Sequence, residues 1–319
     1  MPSGKDIRRR IKSINSTKKI TRAMEMVSAA KMRRAVQSVL GIRPYAHAAW
    51  SVLTNLARAF ESYQQGFLEV REVRKVLVVL VTSNRGLCGS FNSQLYKKLR
   101  DEIASPENLK TNRLGKKKIE SKIADGELQI DCITVGKKGE NMAKKLGREI
   151  IAAFPELIMA PTVEQIKPLS KIVMEEYLAK NYDKVVVVYT DYVSTVTQKT
   201  KIRQVLPISK VDLEKQIAEI DELAKELGID APKVEYKIEP SAPEVLEYIF
   251  PRLIEMQLYH AILESNASEH SARMMSMRSA TDAAGEMSSD LTLMYNQIRQ
   301  GKITQEIAEI SAGRAALEN

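Results

Sequence analysis

Cysteine and aromatic residues are scarce in this sequence. Its 319 residues include two cysteines, Cys88 and Cys132, and only 5% aromatic residues. Two cysteines cannot form the disulfide framework of a small secreted protein, so we expect reduced thiols in a cytosolic setting. The histidines His47, His260 and His270 stand apart from each other and from both cysteines, which leaves no spacing typical of a zinc site. We therefore expect no metal site.

Long apolar runs are also lacking. The longest, residues 76–81, is far shorter than the ~18 residues that a membrane-spanning helix needs. The first residues, MPSGKDIRRRIK, contain no apolar segment of the kind found in secretion signals. These absences predict a soluble protein whose association with a membrane, if any, is indirect.

Charge of one sign is in excess, since 49 Lys and Arg face 40 Asp and Glu and give a net charge of +9. Such a balance favours an acidic partner: nucleic acid, anionic lipid or an acidic protein surface. Near the N-terminus, two acids accompany eleven cations: Lys5, Arg8, Arg9, Arg10, Lys12, Lys18, Lys19, Arg22, Lys31, Arg33 and Arg34. A solvated helix face normally mixes signs, and no aromatic residues interleave here. The cluster alone leaves nucleic acid and an acidic protein sleeve equally open.

Both ends of the chain have the pattern of long helices. Residues 6–60 contain one glycine and one proline, and Ile7, Ile11 and Ile14 form a narrow apolar stripe. Near the C-terminus, seam positions recur in steps of three and four over about seven heptads, typical of a coiled coil. They are Leu246, Ile249, Leu253, Met256, His260, Leu263, Ala267, His270, Met274, Met277, Thr281, Ala284, Ser288, Leu291, Tyr295 and Ile298. A helix over 241–298 would be roughly 90 Å long, so it needs a partner helix, and the N-terminal helix is the obvious one.

Two details of the C-terminal pattern carry further expectations. Pro251 cannot donate a backbone hydrogen bond, so either a kink or the start of the regular helix is expected there. The seam becomes polar and small toward its end, which predicts close helix packing with a weak apolar core. His260 and His270 are interpreted as polar residues tolerated in the seam.

The middle of the chain has a different period. Short β-branched runs at 76–81, 128–135 and 184–189 alternate with helical patterns at 93–103, 138–146 and 164–180, which predicts a small, mainly parallel α/β domain. The predicted division is a shaft helix at 1–62, an α/β domain at 73–210 with a basic surface insertion at 106–126, a polar linker at 211–240 with a short helix at 212–227, and a second shaft helix at 241–319.

The segment TSNRGLCGSFN, residues 82–92, follows the first strand and opens a helix, where phosphate-binding loops often lie. Neither G-x-x-x-x-G-K-[ST] nor G-x-G-x-x-G is present. A structural turn built on Arg85, Gly86, Cys88 and Gly89 is therefore the preferred interpretation, and an anion site at the helix N-terminus is the alternative. No base, nucleophile and orienting group share a readable spacing, so no catalytic residue and no cofactor are expected.

Three segments of this sequence resemble those of a known family. GKDIRRRIKSINSTKKITRAMEMVSAAKMRRA (4–35) and the C-terminal stretch beginning YHAILESNASEHSARMM (259–317) are similar to the terminal signatures of ATP synthase gamma subunits. The turn TSNRGLCGSFN resembles the TSDRGLCGGFN turn of that family. It departs from the family pattern at Asn84, usually Asp, and Ser90, usually Gly. These departures weaken the case for an anion site in the turn.

The resemblance implies an antiparallel coiled coil of the terminal helices with a central Rossmann-like α/β domain. It further implies a central rotor stalk that couples ion flow to ATP synthesis without catalytic residues of its own. The implied partners are three alpha and three beta subunits, an epsilon subunit and the membrane c-ring, with no nucleic acid. The implied location is peripheral, at the cytoplasmic face of a bacterial cell membrane.

The resemblance also yields a set of predicted partner contacts. These residues are Arg8, Arg9, Lys18, Lys19, Arg22, Met24, Arg33, Arg34, Arg278, Gln305 and Glu306. No dithiol pair stands in the middle region, so the redox switch of chloroplast relatives is not expected. A basic coiled-coil protein that binds nucleic acid and a nucleotide-binding enzyme are the alternatives from other classes.

Overall fold

A computed structural model describes residues 4–42, 66–114, 117–120, 127–157, 161–209 and 242–317, together with Pro44, Ala218 and Glu222. Contacts divide the chain into two compact units. Met1–Ala29 and Arg273–Asn319 form one, which we call the helical pair. Ala30–Ala272 forms the other, which we call the sheet unit.

Regular elements account for most of the described residues. The helices are α1 (Gly4–Gly41), α2 (Phe91–Ala104), α3 (Glu107–Lys110), α4 (Lys137–Lys145), α5 (Val163–Leu178) and α6 (Ala242–Leu317). The strands are β1 (Lys75–Val81), β2 (Thr111–Leu114), β3 (Lys117–Glu120), β4 (Gln129–Val135), β5 (Ile150–Phe154), β6 (Lys184–Tyr192) and β7 (Gln198–Leu206). A short 3-10 helix covers Gly66–Leu68.

The sheet unit is built on a five-stranded sheet in the order β5-β4-β1-β6-β7. β1 pairs in parallel with β4 and β6, and β4 pairs in parallel with β5. β7 pairs antiparallel with β6 at one edge. Crossover helices follow the parallel strands, as parallel pairing requires.

The sheet unit has an apolar layer on each face of the sheet, and β1 belongs to both. Leu77, Val79 and Val81 join the layer that also contains residues of α1, α5 and α6. Val76, Val78 and Leu80 join the layer that contains residues of α2 and α4. Because side chains alternate along a strand, a strand covered on both faces must be apolar at every position. This arrangement explains the uninterrupted apolar run at 76–81.

The predicted fold class is confirmed: long terminal helices accompany a central α/β sheet. The three predicted strands are present with slightly different bounds, and so are the three predicted helices. β5 and the antiparallel strand β7 were not predicted. β5 is apolar but only five residues long, IIAAF, and its two alanines favour strands weakly, while the apolar pattern of β7 is interrupted by Lys199, Lys201 and Arg203.

Other expectations have mixed outcomes. The predicted insertion contains α3 and an antiparallel hairpin of β2 and β3. Pro251 is not the start of the helix, since α6 begins at Ala242 and contains Pro251 in its interior. Most of the predicted linker helix at 212–227 and the end of the first shaft helix beyond Pro44 lie outside the described residues. The predicted domain division stays a prediction.

Candidate functional site: the helical pair and its basic surface

The two helices of the helical pair run antiparallel. Thr281 Oγ1 donates to Thr21 Oγ1 at 2.8 Å, and Ser288 Oγ donates to Asn15 Oδ1 at 3.0 Å. Gly4 lies beside Tyr295, where a Cβ would be 3.9 Å from the ring carbon Cε2. Later residues of α6 therefore meet earlier residues of α1, as predicted.

From Met277 onward, burial follows the predicted seam on α6. Met277, Thr281 and Ala284 are buried, and the four later seam positions Ser288, Leu291, Tyr295 and Ile298 are partly buried between exposed neighbours. A repeat of three and four residues that tracks burial is the mark of a coiled-coil contact. The seam is thin, as expected, because several of its members are small or hydroxylated.

The first helix contributes a similarly narrow stripe. Ile7 is 1% exposed, and Thr21 and Ser28 are also buried. The sequence left either Val27 or Ser28 in this stripe, and the structure selects Ser28 because Val27 is 55% exposed. Met24 is partly buried beside this stripe. Polar atoms thus occupy part of the contact between the two helices.

The basic cluster of α1 lies on the surface. Arg8, Arg9, Lys18, Lys19 and Arg22 are all exposed, as are Arg10 and Lys12. A shallow groove along α1 is lined by Arg8, Ile11, Lys12, Asn15, Ser16 and Lys19. Arg22 forms an ion pair with Glu25 one turn later, at 3.2 Å. Repulsion between like charges three and four residues apart costs a few tenths of a kcal/mol per pair.

Lys18 reaches across the second helix at a glycine that the sequence analysis missed. A Cβ at Gly285 would lie 3.0 Å from Lys18 Nζ and 3.5 Å from its Cε carbon. The missing side chain at position 285 therefore gives the stem of Lys18 room beside α6. The sequence could have indicated this role, because Gly285 directly follows the seam position Ala284.

The remaining predicted contacts are also exposed but lie apart from this cluster. Arg33 and Arg34 are exposed on the part of α1 that belongs to the sheet unit. Arg278, Gln305 and Glu306 are exposed on α6, and Gln305 Nε2 donates to Glu309 Oε1 at 2.9 Å. Their contacts with partners stay predictions.

The last turns of α6 expose an apolar row. Ile303, Ile307 and Ile310 are 47%, 59% and 73% exposed, and they follow the spacing of four and three that defines one helix face. Isolated exposed apolar residues are ordinary, but three in a row on one face indicate an interaction surface.

The turn at 82–92 is held by hydrogen bonds among its own residues. Asn92 Nδ2 donates to Ser83 Oγ at 2.7 Å, and the Ser83 backbone N–H donates to Asn92 Oδ1 at 3.3 Å. Cys88 is buried with its sulfur 3.8 Å from both Ser83 Oγ and the Arg85 carbonyl. Leu87 and Gly89 have positive φ angles of 62° and 55°, so Gly89 supplies one of the two left-handed positions and Gly86 neither.

The turn also contacts the next crossover. Asn84 Oδ1 accepts a hydrogen bond from the backbone N–H of Lys137, the first residue of α4, at 2.8 Å. Gly136, which the sequence analysis missed, has a φ of 88°, and a Cβ there would lie 2.1 Å from the Thr82 carbonyl oxygen. Asn84 thus satisfies a helix N-terminus, which an amide oxygen can do as well as the carboxylate usual in the family.

The surroundings of two buried titratable groups in the sheet unit, Cys132 and Tyr177, favour their neutral forms. Burial raises the pKa of the Cys132 thiol to about 12, with a smaller contribution from Asp131. Burial likewise raises the pKa of Tyr177, whose hydroxyl donates to the Glu69 carbonyl at 2.6 Å. A thiol held in its neutral form is a poor nucleophile. Among the described residues, no cluster of His, Cys, Asp and Glu has the arrangement of a metal site.

The chain thus combines an antiparallel coiled coil with an α/β domain. Within the described residues, no helix is both long and apolar enough to cross a membrane. The model of the ATP synthase family matches residues 3–317. The "ATP synthase gamma chain" of Legionella pneumophila (strain Corby) is 36% identical over 317 residues, which cover 99% of this chain and 100% of the relative.

The protein of the same name from Pelotomaculum thermopropionicum is 39% identical and covers 100% of both chains. The chain therefore belongs to the ATP synthase gamma chain family. The fold is also similar to a rotor chain in the structure of the Euglena gracilis mitochondrial ATP synthase. That match has a TM-score of 0.60 at 17% identity and covers 94% of this chain and 98% of the other.

Proposed function

We propose that this chain is the central rotor stalk of a rotary ATP synthase, where it transmits rotation between a membrane ion-driven ring and the catalytic head. The single observation that carries this proposal beyond family membership is the exposed, predominantly cationic surface of α1 on a thin coiled coil. A helix that bears Arg8, Arg9, Lys18 and Arg22 in the open gains most from an acidic partner outside the chain.

The partners follow from the family. Three alpha and three beta subunits would surround the helical pair, and the sheet unit would contact the epsilon subunit and the c-ring. Nucleotide chemistry would occur in the alpha and beta subunits, and this chain would be a non-catalytic part of the enzyme. Its location would be peripheral, at the cytoplasmic face of a bacterial cell membrane. Family membership favours an acidic protein sleeve over nucleic acid as the partner of the basic cluster.

Contacts that transmit rotation must form and break repeatedly. Exposed ion pairs contribute about 0.2–1 kcal/mol each, so a set of them holds a partner without locking it. The cations of α1 project from an exposed helix surface and would supply such contacts at successive positions of the sleeve. The exposed row Ile303, Ile307 and Ile310 would rest in an apolar bearing, where it needs no fixed hydrogen-bond geometry.

In this proposal the turn at 82–92 would have only a structural role. Ser83, Cys88 and Asn92 contact one another in its interior, and Asn84 engages the start of α4. An anion would have to compete with these contacts. We therefore assign Arg85, Gly86, Cys88 and Gly89 a structural role.

The proposal is tested by reversing charge in the assembled complex. The single change Arg9→Glu should alter ATP-driven proton pumping only mildly, because one exposed pair is weak. Reversal of Arg8, Arg9, Lys18 and Arg22 together should impair assembly or uncouple hydrolysis from pumping. A control variant carries the same number of reversals on exposed lysines of the sheet unit: Lys97, Lys98, Lys137 and Lys138. Pumping equal to the parent in the α1 variant would contradict the proposal.

A further inference from the structure

His260 is completely enclosed in the sheet unit. It lies on α6 and is 0% exposed. Neither ring nitrogen has a hydrogen-bond partner among the described residues. A buried imidazole without such partners is costly, and it becomes more costly when it takes up a proton, because the charged form loses its hydration.

About three turns after His260, α6 contacts the start of β7 through Ser271. Ser271 Oγ donates to the Thr195 carbonyl at 2.5 Å and lies 3.3 Å from Gln198 Nε2. His260 itself lies close enough to Arg203 and Lys201 for both cations to affect its protonation. The contact between α6 and β7 therefore contains polar groups.

Charges of both signs surround this imidazole. On β7, Lys201 Nζ pairs with Asp191 of β6 at 2.6 Å, and the Arg203 guanidinium stacks over the Tyr189 ring at 5.5 Å. On α6, Glu264 Oε2 lies 3.4 Å from His260 Nδ1. Complete burial, followed by Arg203 and Lys201, holds the pKa of His260 well below its usual value. The neutral imidazole is the form that the folded sheet unit accommodates.

We propose that His260 makes the packing of α6 on β7 sensitive to acid, so that protonation of its ring loosens this helix from the sheet. The proton would place a third cation beside Arg203 and Lys201 in a site closed to water. Asp191 is already paired with Lys201, and the carboxylate of Glu264 would not offset both the lost hydration and the repulsion from Arg203.

The direction of the pH dependence follows from the lowered pKa. Above about pH 6.5 the imidazole is neutral in both the folded and the unfolded chain, and stability does not depend on it. Below about pH 6.5 the unfolded chain binds a proton that the folded chain does not. Each further pH unit then lowers the folding equilibrium constant by up to about tenfold, until the pH reaches the pKa of the folded state.

The test compares the full chain with His260→Gln in urea unfolding at a series of pH values from 7.5 to 5. Differences between the two proteins remove the contribution of acidic residues and of the other histidines. We expect the parent to lose about tenfold more in its folding equilibrium constant between pH 6 and 5 than His260→Gln does. The control His270→Gln changes a partly buried histidine of the same helix and should retain the slope of the parent.

Two results would overturn the proposal. One is an identical pH slope in the parent and His260→Gln. The other is a parent that becomes more stable as the pH falls from 7 to 6, which would indicate a protonated His260 paired with Glu264. If His260→Gln does not fold, NMR titration of the histidine rings in the folded parent tests the proposal instead. A His260 signal that titrates near pH 6.5 would contradict the proposal, and one that stays neutral to pH 5 would support it.

Discussion

Different kinds of side-chain contact stabilise the helical pair and the sheet unit. In the sheet unit, large aliphatic side chains such as Leu77 and Leu95 are fully buried and fill two layers. In the helical pair, the seam alternates a few apolar residues with Thr21, Ser28 and Thr281, and most positions beyond it are exposed. Apolar burial therefore stabilises the sheet unit. The helical pair has little of its own and depends more on what surrounds it.

The largest expected effect is on the backbone of the sheet unit. Gly136→Val should cost about 4 kcal/mol or more, because its Cβ would overlap the Thr82 carbonyl oxygen and its φ of 88° disfavours any side chain. Urea unfolding measures the loss. Gly147→Val is the control, since Gly147 also has a positive φ but no atom within 4 Å of its Cβ position. Equal losses in the two variants would show that the close approach of Thr82 is unimportant.

Truncation of one leucine in each unit tests the comparison directly. Leu95→Ala, at 0% exposure in the sheet unit, should cost about 2–5 kcal/mol, as large-to-small changes in a core do. Leu291→Ala, partly buried in the helical pair, should cost about 1 kcal/mol or less, since little apolar area is lost. Urea unfolding follows the first, and hydrogen exchange along α6 follows the second. Similar costs would mean that the seam is a true core.

A smaller effect is expected for the hydroxyl pair of the seam. Thr21→Val alone should cost about 1 kcal/mol, because it removes a partner of the Thr281 hydroxyl within a closed contact. Thr281 can still donate to the Met277 carbonyl at 2.7 Å, which limits the loss. Changing both Thr21 and Thr281 to valine should recover stability, since neither position then leaves a hydroxyl without its partner in the contact. Hydrogen exchange at this level of the pair distinguishes the variants, and a double variant worse than the single one would contradict the argument.

The smallest expected effects are gains in the stability of the helical pair. Gly301→Ala should stabilise the helical pair by about 0.5–1 kcal/mol, because nothing lies within 4 Å of its Cβ position and alanine is a better helix former. Gly285→Ala should gain less, since the Lys18 ammonium must first move aside. Circular dichroism during thermal unfolding measures both. A loss at Gly285 with a gain at Gly301 would show that Lys18 holds its position firmly.

The sequence predicted those parts of the fold that rest on strong periodicity. The seam on α6 was predicted correctly from Met277 to Ile298, because heptad spacing is preserved over these turns, whereas nearly every residue of 253–269 is buried and no single stripe stands out there. The strand β1 was predicted because a buried parallel strand is apolar throughout. The edge strands β5 and β7 were missed, since an edge is only half covered and tolerates the cations of β7. β7 therefore lacks an apolar run, while β5 is apolar throughout but only five residues long.

For the candidate site, the exposed cations were predictable from charge, but their neighbours were not. That Ser28 rather than Val27 faces the seam depends on the rotation of α1, which neighbouring stripe positions could not decide. The spacing between Lys18 and Gly285 depends on the register of two helices far apart in the sequence. Gly136 was missed for a similar reason, because its need for glycine comes from Thr82, which follows β1 and is distant in the sequence.

The double role of β1 has a consequence for how its alignment is chosen during folding. A strand with one polar face cannot slip by one residue without exposing its apolar side chains, but β1 is apolar on both faces and lacks this safeguard. Polar anchors at its two ends must then select the correct alignment. Asp183 Oδ2 accepts hydrogen bonds from the backbone N–H groups of Arg74 and Lys75, both at 2.9 Å. At the other end, the Thr82 hydroxyl donates to the Val135 carbonyl at 3.0 Å, and a slipped strand would move this side chain away from its acceptor.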